Sequence, residues 1–408
     1  MELVLAKKSP GASRLTLHSF SFRKYTRRLH LWLGLSLGVL LTIICLSGAV
    51  LVFYVEIDTW LHPELERSQL ATDSSWDSAL HTLNKTYPNK KGPWRIEVSD
   101  SKRAISARYY NPVETRSEGF APLMVWLSSD GLSVLREDYW GHYLATWLYN
   151  LHYTLLFGEI GTFVIGYIGL ATLFLLVSGL VSWWPKQGQW HRAFTFKRRR
   201  SRIGLLYDWH KILGLASAVP LLLLVATGVM LSLPQETNRV LGLLFSPVQT
   251  ASKLSGIANK TIQHTVPISD AINAARQANV AQNGADLRQS RLAWIQTPDN
   301  NLSAQQFYTF RFQIPEDPSH RFPNTFVYVD AHSGQIISTY SAWKHGPANS
   351  IKGWLHALHN GSVGGLALRI LWVICGSIVF ALFSLGFTRW RLRTSKKGSS
   401  TLKTQSLR

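Results

Sequence analysis

Four stretches of this 408-residue chain are apolar over lengths that can cross a lipid bilayer. They cover residues 31–55, 160–184, 212–233 and 363–387. A membrane-spanning helix needs about 20 predominantly apolar residues. The sequence therefore predicts a multi-pass α-helical membrane protein, with the lipid bilayer among its partners. The charged fraction of 16% agrees with this prediction, since soluble domains contain about 25% charged residues.

Basic residues are concentrated in three segments that flank the apolar runs. Residues 1–30, 184–211 and 388–408 together hold 22 of the 43 Lys and Arg residues but only 2 of the 23 acidic residues. Such segments mark the cytoplasmic side of a membrane protein, so both termini are expected inside the cell. Because the excess charge is divided among these flanks, nucleic acid is not expected as a partner. The first run is too long for a cleaved signal peptide.

The two loops that this topology leaves outside the cytoplasm have a mixed α and β pattern. Helices are predicted at 76–87 and 268–281. Alternating apolar residues predict strands at 95–98, 104–110 and Leu123–Leu127 in the first loop, and at Arg291–Gln296, Phe307–Gln313 and 325–329 in the second. Each loop is therefore expected to form a small α+β module.

The chain contains two copies of one pattern. The string His30-Leu-Trp-Leu-Gly in the first apolar run resembles His210-Lys-Ile-Leu-Gly in the third, and a glycine follows each histidine eighteen residues later. A second string, Trp-Leu-x-x-Leu-His, precedes the other two runs and ends at His152 and at His359. The sequence therefore predicts two repeats, each made of a span, an outer module and a second span.

These four of the fourteen histidines occupy matched positions. His30 and His210 lie at the cytoplasmic ends of their spans, and His152 and His359 lie on the opposite side. A six-coordinate b-type haem takes one neutral imidazole on each face of its iron. Two pairs at two depths are therefore what two haems would require. Glycines would let the helices approach the porphyrin: Gly34, Gly38, Gly48, Gly214 and Gly228.

Other interpretations of the histidines remain open. They could be interfacial anchors that a gene duplication retained. Zinc is a weaker alternative because no Cys, Asp or Glu stands at ligand spacing around them, and the two cysteines exclude a disulfide framework. His356 is an alternative ligand, since it lies three residues before His359 on the same helical face. The haem propionates would need basic partners, for which the candidates are Arg27, Arg28 and Lys211 inside and Arg369 outside.

Helix length raises a geometric difficulty. At about 1.5 Å per residue, an unbroken helix from His152 to Trp184 would be roughly 48 Å long and would hold His152 outside the hydrocarbon layer. Glycines at 158 and 161, and at 364 and 365 in the second copy, could break the helices and return the histidines to the membrane. The sequence does not decide this point.

These motifs resemble the PepSY-associated transmembrane proteins, the iron-regulated membrane proteins of Gram-negative bacteria. The resemblance rests on the string that ends Arg-Arg-Leu-His30-Leu-Trp-Leu-Gly, on Asp208-Trp-His210-Lys-Ile-Leu-Gly, and on the Leu-His pairs at His152 and His359. The string at 326–337 is similar to the closing strand-turn-strand of a PepSY domain.

The resemblance implies a haem-dependent transmembrane reductase of ferric siderophores in the bacterial inner membrane. Its two b-type haems would be held by His30 with His210 and by His152 with His359, and electrons would come from a quinol or a cytoplasmic reductase. The alternative is a non-enzymatic protein whose PepSY modules bind a periplasmic peptide, protease or siderophore.

The expected domain order alternates cytoplasmic, membrane and periplasmic segments. The cytoplasmic segments are 1–30, 185–211 and 388–408, the transmembrane helices are 31–55, 160–184, 212–233 and 363–387, and the PepSY-like modules are 56–159 and 234–362.

Overall fold

The computed structural model describes residues 22–66, 72–98, 104–196, 201–250, 265–278, 286–299 and 306–405. The helices are α1 (Phe22–Leu51), α2 (Tyr54–Leu61), α3 (Asp73–Thr86), α4 (Leu144–Thr154), α5 (Gly158–Trp183), α6 (Trp190–Ala193), α7 (Arg202–Ser232), α8 (Pro234–Leu244), α9 (Ile268–Arg276), α10 (Pro347–His359) and α11 (Gly365–Gln405). The strands are β1 (Trp94–Glu97), β2 (Ile105–Tyr109), β3 (Leu123–Leu127), β4 (Val134–Tyr139), β5 (Arg291–Gln296), β6 (Phe307–Gln313), β7 (Thr325–Asp330) and β8 (Ile336–Ser341).

Four of the described helices, α1, α5, α7 and α11, are long and apolar enough to cross a membrane. Helices α1 and α7 each pack against both α5 and α11. Only 17–22% of the most apolar window of each helix is buried inside the protein, so most of these apolar side chains face outward. Outward apolar surface of this extent belongs in lipid, and the chain is a multi-pass membrane protein.

Two of the four membrane helices begin well before the apolar runs that predicted them, although α1 ends at Leu51 rather than at residue 55. Helix α1 begins at Phe22 rather than at residue 31, and α7 begins at Arg202 rather than at residue 212. Lys, Arg and Leu are good helix formers, so the basic flanks continue the helix where hydropathy has already fallen. Of the predicted N-terminal segment, residues 1–21 lie outside the described residues.

Both loops outside the bundle contribute to one antiparallel sheet. Its strand order is β4-β3-β2-β1-β5-β6-β7-β8, so each loop supplies four consecutive strands. The two halves meet where β1 pairs with β5, with Ile96 opposite Ile295. The α+β character agrees with the prediction, but the sequence indicated a separate module on each loop and gave no sign of this central pairing.

Helices α3 and α9 cover one face of the sheet. The core between them includes Leu83, Ile96, Ile272, Ile295 and Phe310, all fully buried. The predicted helix at 76–87 begins slightly earlier, at residue 73, and the one at 268–281 ends at residue 276, with 279–281 outside the described residues. Strands β3, β5 and β6 have the predicted bounds.

Two short helices turn back from the sheet against the membrane bundle. Helix α4 packs on α1 and α5, and α10 packs on α7. The turn after α4 contains Leu155 and Leu156 at φ 51° and 65°, followed by Gly158 at φ 59°. The turn after α10 uses Gly361 and Gly365, at φ 77° and 58°. The helices are therefore broken near the glycines at 158 and 365, and His152 and His359 return to the bundle.

Candidate functional site

The four matched histidines form two close pairs at opposite ends of the bundle. His152 and His359 have ring centroids 6.2 Å apart and make up the sheet-side pair. His30 and His210 have centroids 6.1 Å apart and make up the far-side pair. Each pair joins one histidine from the first half of the chain with one from the second. The ring of His356 lies 4.5 Å from that of Phe322 and, among the described residues, is not paired with another histidine ring.

A backbone carbonyl on a neighbouring helix fixes the orientation of each ring. A carbonyl oxygen only accepts, so Nδ1 carries the proton and donates, and Nε2 keeps its lone pair. A metal-binding imidazole is held in the same way by a partner on its other nitrogen. The contacts are His30 to Leu175 (3.1 Å), His210 to Leu382 (2.9 Å), His152 to Ile44 (2.8 Å) and His359 to Leu224 (3.1 Å).

A glycine lies under each of the four rings. An added Cβ would stand 2.6 Å from Cε1 of the ring at one glycine, which is too close, and at 3.0, 3.1 and 3.5 Å at the other three, from tight to ordinary contact. The pairs are Gly48 with His152, Gly179 with His30, Gly228 with His359, and Gly386 with His210.

The carbonyl and the glycine that contact a ring are separated by the same number of residues in all four cases. The residue with the accepting carbonyl always stands four positions before the glycine. Three of the four strings read Leu or Ile, two residues, Ser or Thr, Gly. Gly48 and Gly228 are among the glycines predicted from the sequence, whereas Gly179 and Gly386 are not. A search for this string would have found Gly179.

The two pairs are separated along the helices that they share. On α1, His30 belongs to the far-side pair, while Ile44 and Gly48 contact the sheet-side pair. These positions are 14 and 18 residues from His30, or about 21 and 27 Å along an α-helix at about 1.5 Å per residue. That distance approaches the roughly 30 Å thickness of the hydrocarbon core.

The sheet-side pair is neutral at physiological pH. Burial lowers the pKa of His359 to about 3, and burial also lowers the pKa of His152. Neutral imidazole is the form that binds a metal.

The basic residues predicted beside the pairs have different surroundings. Arg27 and Arg28 are exposed near the start of α1. Lys211 Nζ donates to the Thr195 carbonyl and lies 3.9 Å from the buried carboxylate of Asp208. The guanidinium of Arg369 pairs with Glu56 at 2.7 Å and donates to the Val52 carbonyl, so it holds α11 to the end of α1.

One basic residue near the far-side pair was not predicted. Arg389 lies on α11, and its guanidinium is 5.1 Å from the Tyr207 ring. It stands three residues after Gly386, a spacing that puts both on one helical face.

The separation of the ring centres in each pair equals that expected of two imidazoles bound to one metal. With metal–nitrogen bonds of about 2.0–2.1 Å on opposite faces, two imidazole ring centres stand roughly 6–6.5 Å apart, which matches 6.1 and 6.2 Å. No group of three or more His, Cys, Asp or Glu in the described part of the chain could hold a metal ion. Two histidines suffice where a porphyrin supplies the other four nitrogens, so the residues fit a haem.

The chain also matches a known protein family. The family model described as the PepSY-associated TM region matches residues 27–393. A search of curated proteins found no match.

Proposed function

The chain belongs to the PepSY-associated transmembrane family, and from that membership and its two histidine pairs we propose a di-haem electron conduit. In this proposal the protein lies in the bacterial inner membrane with both termini in the cytoplasm. It reduces ferric siderophores or other ferric chelates in the periplasm.

One observation carries the proposal: four histidines share one environment. Each is held by a carbonyl at Nδ1 and lies over a glycine, and the two rings of each pair stand at the separation of axial ligands. Interfacial anchors would need none of these features, because an anchor only has to reach the headgroup layer.

The chain's own residues would hold and orient the cofactors. His30 with His210, and His152 with His359, would each bind one b-type haem through Nε2, and the carbonyls would keep the imidazoles neutral and correctly turned. Arg27, Arg28, Lys211 and Arg369 are the proposed propionate partners. Two haems bound in this way supply one-electron transfer across the bilayer.

The architecture proposed is a duplication. One repeat would comprise α1, the first four strands, α4 and α5, and the other α7, the last four strands, α10 and α11. Each outer segment would be a PepSY-like module. Matched carbonyl and glycine contacts in the two halves support this division, as does the equal share of strands.

The substrate would be a ferric chelate on the sheet side. It takes up one electron, and its iron passes from Fe(III) to Fe(II), which oxygen-rich chelators bind far more weakly. The electron would come from a quinol or a cytoplasmic reductase on the far side, where the basic segments lie.

Absorption spectra of the purified protein test this function. The wild type is expected to show a Soret band with about two haems per chain, and His30→Ala and His152→Ala are expected to lose about one haem each. His142→Ala is the matched control, since His142 is an exposed histidine bonded to Glu118, and its haem content should equal that of the wild type.

A wild-type protein without a Soret band would overturn the proposal. So would His30→Ala and His152→Ala variants with unchanged haem content. The non-enzymatic alternative, a membrane-anchored PepSY module for a peptide, protease or siderophore, would then account better for the family membership.

A further inference from the structure

A cavity of about 340 Å³ lies between the sheet and the membrane bundle. Its walls come from α2, from the start of α4 and from the face of the sheet that α3 and α9 leave uncovered. Side chains alternate across a strand: Ile96 points into the core, whereas its neighbours Arg95 and Glu97 line the cavity. The volume is at the small end of the range of about 300–1,000 Å³ for ligand sites.

The lining is basic and aromatic. Four arginines face two carboxylates, and Arg95 and Arg108 share one of these, Glu97, at 3.5 and 3.7 Å. The guanidinium of Arg95 lies 4.7 Å from the Trp294 ring, and that of Arg108 lies 4.8 Å from the Trp140 ring. Arginines stacked on aromatic rings keep their hydrogen-bonding edges available for an anion.

Several buried polar atoms around this cavity have no hydrogen-bond partner among the described residues. They are the Tyr54 hydroxyl, Nε of Arg95, Nε of Arg108 and Nε1 of Trp294. Buried polar groups are hydrogen-bonded in the great majority of cases. Four such atoms around one cavity therefore indicate a ligand that supplies acceptors.

Arg321 is the fourth arginine of the lining, and it differs from Arg95 and Arg108 because it does not share Glu97. Its guanidinium lies 4.6 Å from the Tyr54 ring, and within the described ranges no carboxylate is at ion-pair distance from it. Burial lowers the pKa of Arg321 to about 10, so it remains charged at neutral pH. An unpaired buried charge is costly, and an anionic ligand would offset that cost.

Aromatic side chains connect this cavity to the sheet-side pair. The Tyr149 ring lies 5.2 Å from Trp140 and 6.5 Å from Tyr54, which both line the cavity. Tyr149 precedes His152 by three residues on α4, and residues at this spacing share a helical face. A ligand in the cavity would therefore be one layer of side chains from the sheet-side pair.

We propose that this cavity binds an anionic, aryl-bearing arm of a ferric chelate, of the catecholate class, through its arginines and tryptophans. The inference rests on the proposed function for its purpose, because it names the chelate class that the conduit would reduce. The cavity volume admits one aryl ring with its charged oxygens, and the rest of the chelate would remain outside.

Binding can be measured without electron transfer if gallium(III) replaces iron, since gallium(III) has the same charge and does not accept the electron. The probe is the gallium complex of 2,3-dihydroxybenzoate, titrated into the purified full-length protein and followed by tryptophan fluorescence. The gallium complex of a cationic linear trihydroxamate is the control ligand. Saturable binding of the catecholate and at least about tenfold weaker binding of the trihydroxamate are expected.

Variants test the residues. Arg321→Gln should raise the Kd for the gallium catecholate by at least about tenfold, because a charged hydrogen bond is lost, and Arg321→Lys should recover part of the affinity. Tyr54→Phe removes only a hydroxyl and should weaken binding about two- to tenfold. Arg288→Gln is the control, since that exposed arginine pairs with Asp286 away from the cavity.

The His152→Ala variant separates this inference from the proposed function. It should bind the gallium catecholate with the wild-type Kd, because the cavity does not use that histidine. The inference is overturned if the wild type does not bind the catecholate, if both gallium complexes bind equally, or if Arg321→Gln and Tyr54→Phe bind like the wild type.

Discussion

At the scale of single residues, glycine decides where the histidine rings can lie. The ring of His152 occupies the space that a side chain at residue 48 would need, with Cε1 2.6 Å from an added Cβ. This glycine is required for space rather than for backbone freedom, because it lies in a regular helix. Under His30 and His359 an added Cβ would be at 3.0 and 3.1 Å, which is tighter than usual, whereas at Gly386 the separation of 3.5 Å from the His210 ring is an ordinary contact.

We expect Gly48→Ala to displace the His152 ring and remove the sheet-side haem. Haem content should fall from about two to about one per chain, while stability changes by no more than about 1 kcal/mol, since alanine favours a helix. Gly34→Ala is the control in the same helix, because its Cβ would meet only Leu175, at 3.9 Å. Equal spectra of the two variants would contradict the assignment.

The sequence was informative about which histidines form pairs and less so about what surrounds them. The repeated strings identified His30, His152, His210 and His359. They could not identify the carbonyl that orients each ring, since every residue has one and only the helix packing selects it. They also could not distinguish His356 from His359, because the two share a helical face. In the structure the ring of His359 lies beside that of His152, whereas the ring of His356 lies beside Phe322.

At the scale of elements, left-handed residues set the direction of α4. Leu155 adopts φ 51° without being glycine, at a cost of roughly 1–2 kcal/mol, and the turn it makes returns His152 to α1. The corresponding turn after α10 uses glycines instead.

Substitutions of Leu155 should show whether the backbone conformation of this turn or the leucine side chain positions α4. Leu155→Gly keeps the left-handed conformation accessible and should retain both haems. Leu155→Pro cannot adopt a positive φ and should lose the haem held by His152. The ratio of haem to protein in the purified variants measures both effects, and two haems in the proline variant would show that the turn does not position α4.

The sheet shows what strand patterns leave undetermined. Alternation identified six of the eight strands closely, because it reports which side chains face a core. It does not report which strand edges meet, and the pairing of β1 with β5 joins segments about 200 residues apart. That contact arises only when the membrane helices bring both loops together.

Engineered cysteines test this central pairing. Arg95 lies opposite Gln296 in a non-hydrogen-bonded position, where Cα atoms are about 4.5 Å apart, within disulfide range. Cysteines at both sites, with Cys45 and Cys375 replaced by Ala, should form a disulfide. After proteolysis at a site inserted at Gly188, the two halves should separate only under reducing conditions. Cysteines at Arg95 and Thr309 should give no link.

At the scale of the whole molecule, charge predicts the orientation. The basic segment joins α5 and α7 at the end of the bundle opposite the sheet, so the positive-inside rule predicts that the sheet lies on the non-cytoplasmic side. A cysteine at the exposed Gln335 should react with an impermeant maleimide in intact spheroplasts. A cysteine at the exposed Gln187 should react only after permeabilisation. The reverse pattern would invert the topology.

Because of the distance between the pairs, the proposed electron transfer across the membrane would require both of them. With the pairs about 21–27 Å apart along α1, neither pair alone reaches both faces of a hydrocarbon core roughly 30 Å thick.

In vesicles that enclose dithionite, with the sheet outward, wild-type protein should produce Fe(II) from an external ferric chelate. His30→Ala and His359→Ala should each lower this rate at least about tenfold. Dithionite added outside should still reduce the remaining haem in His30→Ala, because the sheet-side pair is intact. Wild-type transmembrane rates in either variant would mean that electrons do not pass through both pairs.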